Sequence, residues 1–252
     1  MERTALPGRL IWQIGRVVAI IDETLRTKSL VLDVRGWLGH TAGQHVDVRL
    51  TAEDGYQAER SYSIASLPEA SQVVLTVERL DEGEVSPYLT DGLQRGDQLA
   101  LRGPIGGYFT WQVAADGPLL LVAGGSGVVP LMAMLRHRAT QQSTVPTRLL
   151  YSSRAFDEII YRQELARLAA ADPTLRVVHT LTRGQPPGWT GYRRRIDRAL
   201  LAEVAWPPPE RPLAFVCGPT ALVERVASAL IDLGHDPLRV KTERFGPSGG
   251  TA

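Results

Sequence analysis

The chain is nearly without cysteine: its 252 residues contain one, Cys217. One thiol cannot close an internal disulfide, and an iron–sulfur cluster needs about four ligands. Redox chemistry, if there is any, must then rest on an organic cofactor or on a partner protein. The lack of disulfides suits a reducing compartment, so the expected location is cytoplasmic. An excess of one charge sign is missing too. The formal net charge is +1, which gives no reason to expect nucleic acid or an acidic membrane surface as a partner. The opening Met1-Glu2-Arg3-Thr4 places an acid early and leads into no long apolar region. A signal peptide is therefore not expected.

Long apolar runs are also scarce. The segment Gly117 to Leu135 carries no charge and is long enough to raise the question of a membrane span. Gly124, Gly125, Gly127 and Pro130 interrupt it. It reads instead as a buried strand, a glycine turn and the start of a helix, and no membrane insertion is expected. Hydrophobic residues make up 44% and charged residues 22%, so a sizeable core can form. The length suits two ordinary domains or one large one.

What is present changes character near Asp116-Gly117. Before that point, short alternating segments read as strands: Val17–Ile21, Leu30–Val34, His45–Leu50 and Val73–Val77. Turn clusters such as Glu53-Asp54-Gly55 and Asp81-Glu82-Gly83 separate them. The spacing predicts an antiparallel β-barrel. A short helix is expected after Ser86-Pro87, with Ser86 as its cap and Pro87 at its first position. After that point strands alternate with helices. Pro118–Ala123, Arg148–Tyr151, Arg176–His179 and Leu213–Val216 read as strands. Leu222, Val226, Leu230 and Leu233 recur at helical spacing, as do Leu165 and Leu168. That alternation predicts a parallel sheet with crossover helices. The expected division is a barrel over residues 10–114 and an α/β domain with a C-terminal tail over residues 115–252.

Three motifs could carry chemistry, and each has a plain reading beside the functional one. Gly124-Gly125-Ser126-Gly127-Val128-Val129-Pro130 follows a strand. Its backbone N–H groups and the helix start behind it could hold a pyrophosphate, or the glycines could simply make a turn. Arg60-Ser61-Tyr62-Ser63 combines a phosphate partner, a stacking ring and hydroxyls, or it is an alternating strand with Tyr62 in the barrel. Val216-Cys217-Gly218-Pro219 lies where a strand runs into a helix. Ligands bind at such strand ends, though a free cysteine is often a small apolar filler.

Taken in order, these motifs resemble the ferredoxin–NADP reductase superfamily, in the branch of reductase components without a fused iron–sulfur domain. Ala42-Gly43-Gln44, Gly83-Glu84-Val85-Ser86, Gly103-Pro104-Ile105-Gly106 and the closing Glu243-Arg244-Phe245 add to the likeness, which runs from about Arg16 to Phe245. The resemblance implies a flavin barrel followed by a nicotinamide-dinucleotide domain. It implies that Arg60 and the Gly83–Ser86 loop, with Val85 in it, hold the flavin phosphates. Tyr62 stacks on the flavin ring, with Ser61 beside it, and Ser63 bonds near its N5. Gly124, Gly125, Gly127 and Pro130 form the dinucleotide loop. Cys217, within Cys217-Gly218-Pro219, stands beside the nicotinamide. Phe245 covers the flavin, and Glu243 lies close by. Ser63, Cys217 and Glu243 are thus set nearest the reacting atoms.

The Arg-Ser-Tyr-Ser and Gly-x-x-Ser pattern looks like the FAD members ahead of the FMN ones. Thr182-Arg183, with Arg154, Tyr192 and the run Arg193–Arg195, suggests a 2′-phosphate site and NADPH ahead of NADH. No acidic residue occupies the turn after Leu181, where a ribose-binding carboxylate would argue for NADH. The basic run could equally be a solvated face. No metal is expected. The implied activity is electron transfer from NAD(P)H through FAD to a separate acceptor protein: a ferredoxin, a haem protein, a molybdenum enzyme or an oxygenase. The alternatives are a free-flavin reductase and a non-catalytic flavin- or nucleotide-binding subunit of a redox complex.

Overall fold

The computed structural model describes residues 10–245. The N-terminal residues and the end of the expected tail lie outside them. Two sheets follow one another along the chain. The first is antiparallel and contains β1 (Trp12–Thr24), β2 (Thr27–Val34), β3 (His45–Thr51), β4 (Gln57–Ser63), β5 (Val73–Glu78) and β6 (Gln98–Ile105). Its order is β4-β3-β6-β1-β2-β5. The two edges meet through a bridge between Ile64 and Leu75 and a hydrogen bond of 2.7 Å from Ala65 N to Val74 O. The sheet therefore curls into the expected barrel. Alternating residues such as Leu30, Leu32, Val46, Val48, Leu75 and Leu101 fill its interior, each without exposed surface.

The second sheet is parallel, in the order β11-β10-β7-β8-β9. Its strands are β7 (Leu119–Gly124), β8 (Thr147–Ala155), β9 (Leu175–Gly184), β10 (Leu213–Pro219) and β11 (Val240–Phe245). The helices α1 (Val128–Thr140), α2 (Arg162–Ala171), α3 (Arg198–Val204) and α4 (Thr220–Asp232) connect them. The uncharged segment becomes β7, a glycine turn and α1. Val128 to Leu135 are all buried, because α1 lies between the sheet and the barrel. No helix among the described residues is long and apolar enough to cross a membrane. On α4, Val223, Val226, Ala229 and Leu230 form the buried stripe, and Leu222 and Leu233 flank it half-buried.

One expectation needs correction. Ser86 does not cap the turn that follows it. Its Oγ accepts the Leu80 N–H at 3.0 Å, so it ties the preceding loop together, and the helix is a short π-turn, Tyr88–Gly92, with Pro87 at its cap. The C-terminal tail is, as far as Phe245, an edge strand: β11 pairs with β10 in register, Cys217 opposite Glu243 and Pro219 opposite Phe245.

Polar contacts fix one domain against the other. Tyr161 donates its hydroxyl to Thr76 Oγ1 of the barrel. Arg136 of α1 donates to Ala65 O at 2.6 Å and pairs with Glu164 at 2.6 Å. His137 stands 3.0 Å from Glu69.

Candidate functional site

A cleft of about 1190 Å³ opens between the barrel and the parallel sheet. Ordinary small-ligand pockets measure about 300–1,000 Å³, so this one has room for a dinucleotide. One wall is β4. The β3–β4 register puts Arg60 beside Val48, Ser61 beside Asp47 and Tyr62 beside Val46, and all of Arg60 to Ser63 line the cleft. Arg60 donates to Glu84 Oε2 at 2.9 Å and to Glu59 O at 2.7 Å. Tyr56 donates to the other Glu84 oxygen at 3.1 Å. Burial pushes the Tyr62 phenol up to about 12, with Arg60 pulling it slightly down. Its ring is therefore a neutral, half-buried platform.

The Gly83–Ser86 loop forms the next part of the wall. A Cβ on Gly83 would come within 2.9 Å of Ser86 Oγ, so a side chain there would force the loop open. Val85 anchors the loop in the barrel core with 1% exposure.

The opposite wall belongs to the second domain. Ser126 and Val129 come from the turn after β7, and Glu243, Arg244 and Phe245 from β11. Gly125 has φ +54°, a left-handed conformation that glycine adopts without strain. A Cβ on Gly127 would lie 2.2 Å from Cys217 O. Gly218, at φ +152°, lies so close that its Cβ would meet Gly124 O at 3.0 Å. The glycine turn and the Cys217-Gly218-Pro219 segment are thus packed backbone to backbone. Pro130 lies in the first turn of α1, where a missing N–H costs no helical bond.

Among the described residues, one side-chain hydrogen bond joins β4 to β11 across the cleft. Ser63 Oγ of β4 donates to Glu243 Oε1 of β11 at 3.1 Å. Burial raises the Glu243 carboxyl to about 7, and the bond from Ser63 opposes that rise. Cys217 is fully buried. Burial first, and the Glu243 charge second, push its thiol well up, so it is a neutral thiol and no nucleophile.

The remaining predicted residues lie at the carboxyl ends of β8 and β9. Arg154 and Arg183 are exposed, and Thr182 is half-buried. Thr182 Oγ1 donates to Ser153 O at 3.4 Å. Arg154 sits at the irregularity between β8 and β9, where Ala155 pairs with Gly184. Among the described residues neither arginine makes an ion pair. Tyr192 and Arg194 differ: Tyr192 donates to Glu203 at 2.6 Å, and Arg194 pairs with Glu203 at 3.3 Å. Arg193 donates to Trp189 O at 2.9 Å. The basic run therefore divides, with Tyr192 and Arg194 turned to α3.

Several cleft residues were not singled out from the sequence: His45, Asp47, Thr76 and Glu78 on the barrel side. Arg244, quoted only as part of the closing motif, also lines the cleft. Burial alone would raise the Asp47 carboxyl, but hydrogen bonds from Arg102 and Ser61 hold it below its ordinary range. The alternation of β3 could have revealed Asp47, since it stands directly opposite Ser61. Among the described residues no group of acidic, histidine or cysteine side chains is arranged to hold a metal.

Residues 17–110 match the family model for the oxidoreductase FAD-binding domain, and residues 121–228 match that for the oxidoreductase NAD-binding domain. The chain is 33% identical over 236 residues to the glycine betaine monooxygenase reductase subunit of Chromohalobacter salexigens, covering 92% of this chain and 63% of that protein. It thus spans less than two thirds of that relative. It is 36% identical over 212 residues to ferredoxin–NADP reductase B of Sorangium cellulosum, covering 81% of this chain and 84% of the relative. Among solved structures, the flavohem-like FAD/NAD binding domain of nitric oxide dioxygenase from Vibrio cholerae superposes with a TM-score of 0.84 at 25% identity, over 93% of this chain and 99% of that one. With its FAD-binding barrel and its NAD-binding sheet in this order, the chain belongs to the ferredoxin–NADP reductase superfamily.

Proposed function

We propose that the protein is an FAD-dependent NAD(P)H reductase that passes electrons singly to a separate acceptor protein. The observation that carries this reading is the Ser63–Glu243 bond, which joins the flavin motif and the nucleotide motif in one cleft. Domain limits of 10–114 and 115–252 go with it. When bound, the flavin supplies the redox chemistry, accepting two electrons from the nicotinamide and releasing them one at a time.

The chain's own residues bind and orient. Arg60 and the Gly83–Ser86 loop, with Val85 as its anchor, hold the flavin pyrophosphate. Tyr62 offers its face to the ring, Phe245 shields the other side, and Ser61 keeps β4 in place through Asp47. Ser63 and Glu243 share a proton-bearing contact at the reacting end, with Glu243 able to take up or give a proton near neutral pH. The turn at Gly124, Gly125 and Gly127, opened by Pro130, takes the dinucleotide pyrophosphate on its N–H groups. Gly218 and Pro219 shape the floor beneath the nicotinamide. Cys217 has no exposed surface, so it shapes the nicotinamide end of the site from beneath.

NADPH is the proposed donor ahead of NADH. Arg154 and Arg183 stand exposed beside Thr182 at the strand ends, where two guanidinium groups suit a 2′-phosphate. Tyr192 bridges Thr180 by its backbone, but its hydroxyl is given to Glu203 at 2.6 Å, so it joins that corner only if this bond is exchanged for the phosphate. The acceptor is proposed to be an oxygenase or ferredoxin component, because one relative is named as the reductase subunit of a monooxygenase. The cytoplasm is the proposed compartment, on the cysteine count.

Reconstitution tests the reading. The purified chain should take up FAD, and take up FMN less tightly, and then oxidise NADPH with a one-electron dye or ferredoxin as acceptor. Failure to bind either flavin would overturn it. Bound flavin that no nicotinamide reduces would point to a non-catalytic subunit, and release of free reduced flavin to a flavin reductase.

A further inference from the structure

The cleft carries more carboxylates than a phosphate-binding site calls for, and most of them are matched. Asp47 pairs with Arg102 at 2.7 Å, Glu59 with Arg49 at 2.8 Å and Glu84 with Arg60 at 2.9 Å. Glu243 accepts from Ser63 at 3.1 Å. Two are unmatched among the described residues: Glu82, exposed in the turn after β5, and Glu78, half-buried and turned to the other domain. Glu78 is the last residue of β5 and lines the cleft beside Ser126 and Val129, yet it makes no ion pair or side-chain hydrogen bond among the described residues. The nearby Arg26 is engaged by Asp81 at 2.8 Å. Glu78 reaches across the cleft toward the other domain: a Cβ on Gly125 would lie 3.7 Å from its Oε2.

We propose that Glu78 is an affinity-setting residue for the nicotinamide dinucleotide, its carboxylate opposing the pyrophosphate held at the Gly125–Gly127 turn. This rests on the dinucleotide reading of that turn. The turn attracts an anion through its N–H groups and the start of α1. An unmatched carboxylate within a few ångströms subtracts from that attraction, since like charges repel in inverse proportion to distance. The balance favours discharge of the oxidised dinucleotide after each turnover, a step that limits many enzymes. Glu78 acts on charge shared by both dinucleotides, so it alters affinity without choosing between them. The choice stays with the Arg154 and Arg183 corner.

The test is equilibrium binding of NADP+ and of NAD+ to the FAD-loaded protein, without turnover, at low and high salt. Glu78→Gln should tighten both dinucleotides by about three- to tenfold at low ionic strength, and Glu78→Lys should tighten them further. The gain should shrink as salt screens the cleft. Flavin affinity, read separately by fluorescence, should stay at the parental value and shows that the variants fold. Unchanged dinucleotide binding in Glu78→Gln at low salt would overturn the proposal. So would weaker binding, which would make the carboxylate a hydrogen-bonding ligand. Parental protein that takes up FAD but binds neither dinucleotide would sink the functional reading itself, and this inference with it.

Discussion

The two walls of the cleft are built from different material. The barrel wall presents side chains: Arg60, Tyr62 and Ser63 project from β4, which is held in register by β3. The wall from the second domain presents backbone. Its glycines leave no room, with Gly127 against Cys217 O and Gly218 against Gly124 O. A side-chain wall can lose one contact and keep its shape. A backbone wall packed this closely cannot accept a single added carbon without moving a strand end.

The largest effect should therefore come from the backbone wall. Gly127→Ala places a methyl group 2.2 Å from Cys217 O, so β10 or the turn must shift. Dinucleotide binding should fall below detection while the barrel still binds FAD. Parental dinucleotide affinity, measured by calorimetry, would show that the wall is more yielding than its geometry indicates.

Next comes the side-chain wall. Tyr62→Ala should weaken flavin binding by about tenfold or more, through lost stacking and burial, read by equilibrium dialysis. Arg183→Ala should weaken NADPH by about tenfold or more, since charged hydrogen bonds are worth about 1.5–3 kcal/mol, and leave NADH nearly untouched. Equal losses would remove the 2′-phosphate site from that corner. Cys217→Ala should leave flavin bound and slow its reduction by about tenfold, if positioning is the role of that residue. Reduction at the parental rate would misplace the nicotinamide.

The smallest effect concerns the seam between the walls. The Glu243 carboxyl is raised to about 7 in the folded protein, above its ordinary 4.5. The folded state thus holds the proton more tightly than the unfolded chain does. The corresponding stability is fully present below about pH 4.5 and is lost as pH rises through about 7. Glu243→Gln should flatten the pH dependence of the melting temperature across that window. An unchanged slope would mean that the carboxyl is not buried as described.

The sequence showed the barrel through its alternation and the parallel sheet through its strand–helix order. It pointed to the β4 wall of the cleft through Arg60-Ser61-Tyr62-Ser63, because side-chain chemistry is written in residue types. Strands β6 and β11 were less legible. Gly103 and Pro104 interrupt β6, and Glu243-Arg244-Phe245 looks like a tail until β10 is there to pair with it. The glycines of the second wall were visible, but their reason was not. It lies in the approach of Cys217 O and Gly124 O, which only the folded sheet brings near. Glu78 was invisible for the same cause, since its significance is a distance across two domains. Ser86 suggested a cap from local spacing, and the long-range demand of the Leu80 N–H took its oxygen instead.

Both walls are proposed to serve one electron transfer, and anaerobic stopped-flow absorbance would show it. The FAD-loaded protein is mixed with NADPH and, separately, with NADH. The flavin band should bleach rapidly, and faster with NADPH. A band that stays unbleached with either nucleotide, while flavin remains bound, would contradict the claim.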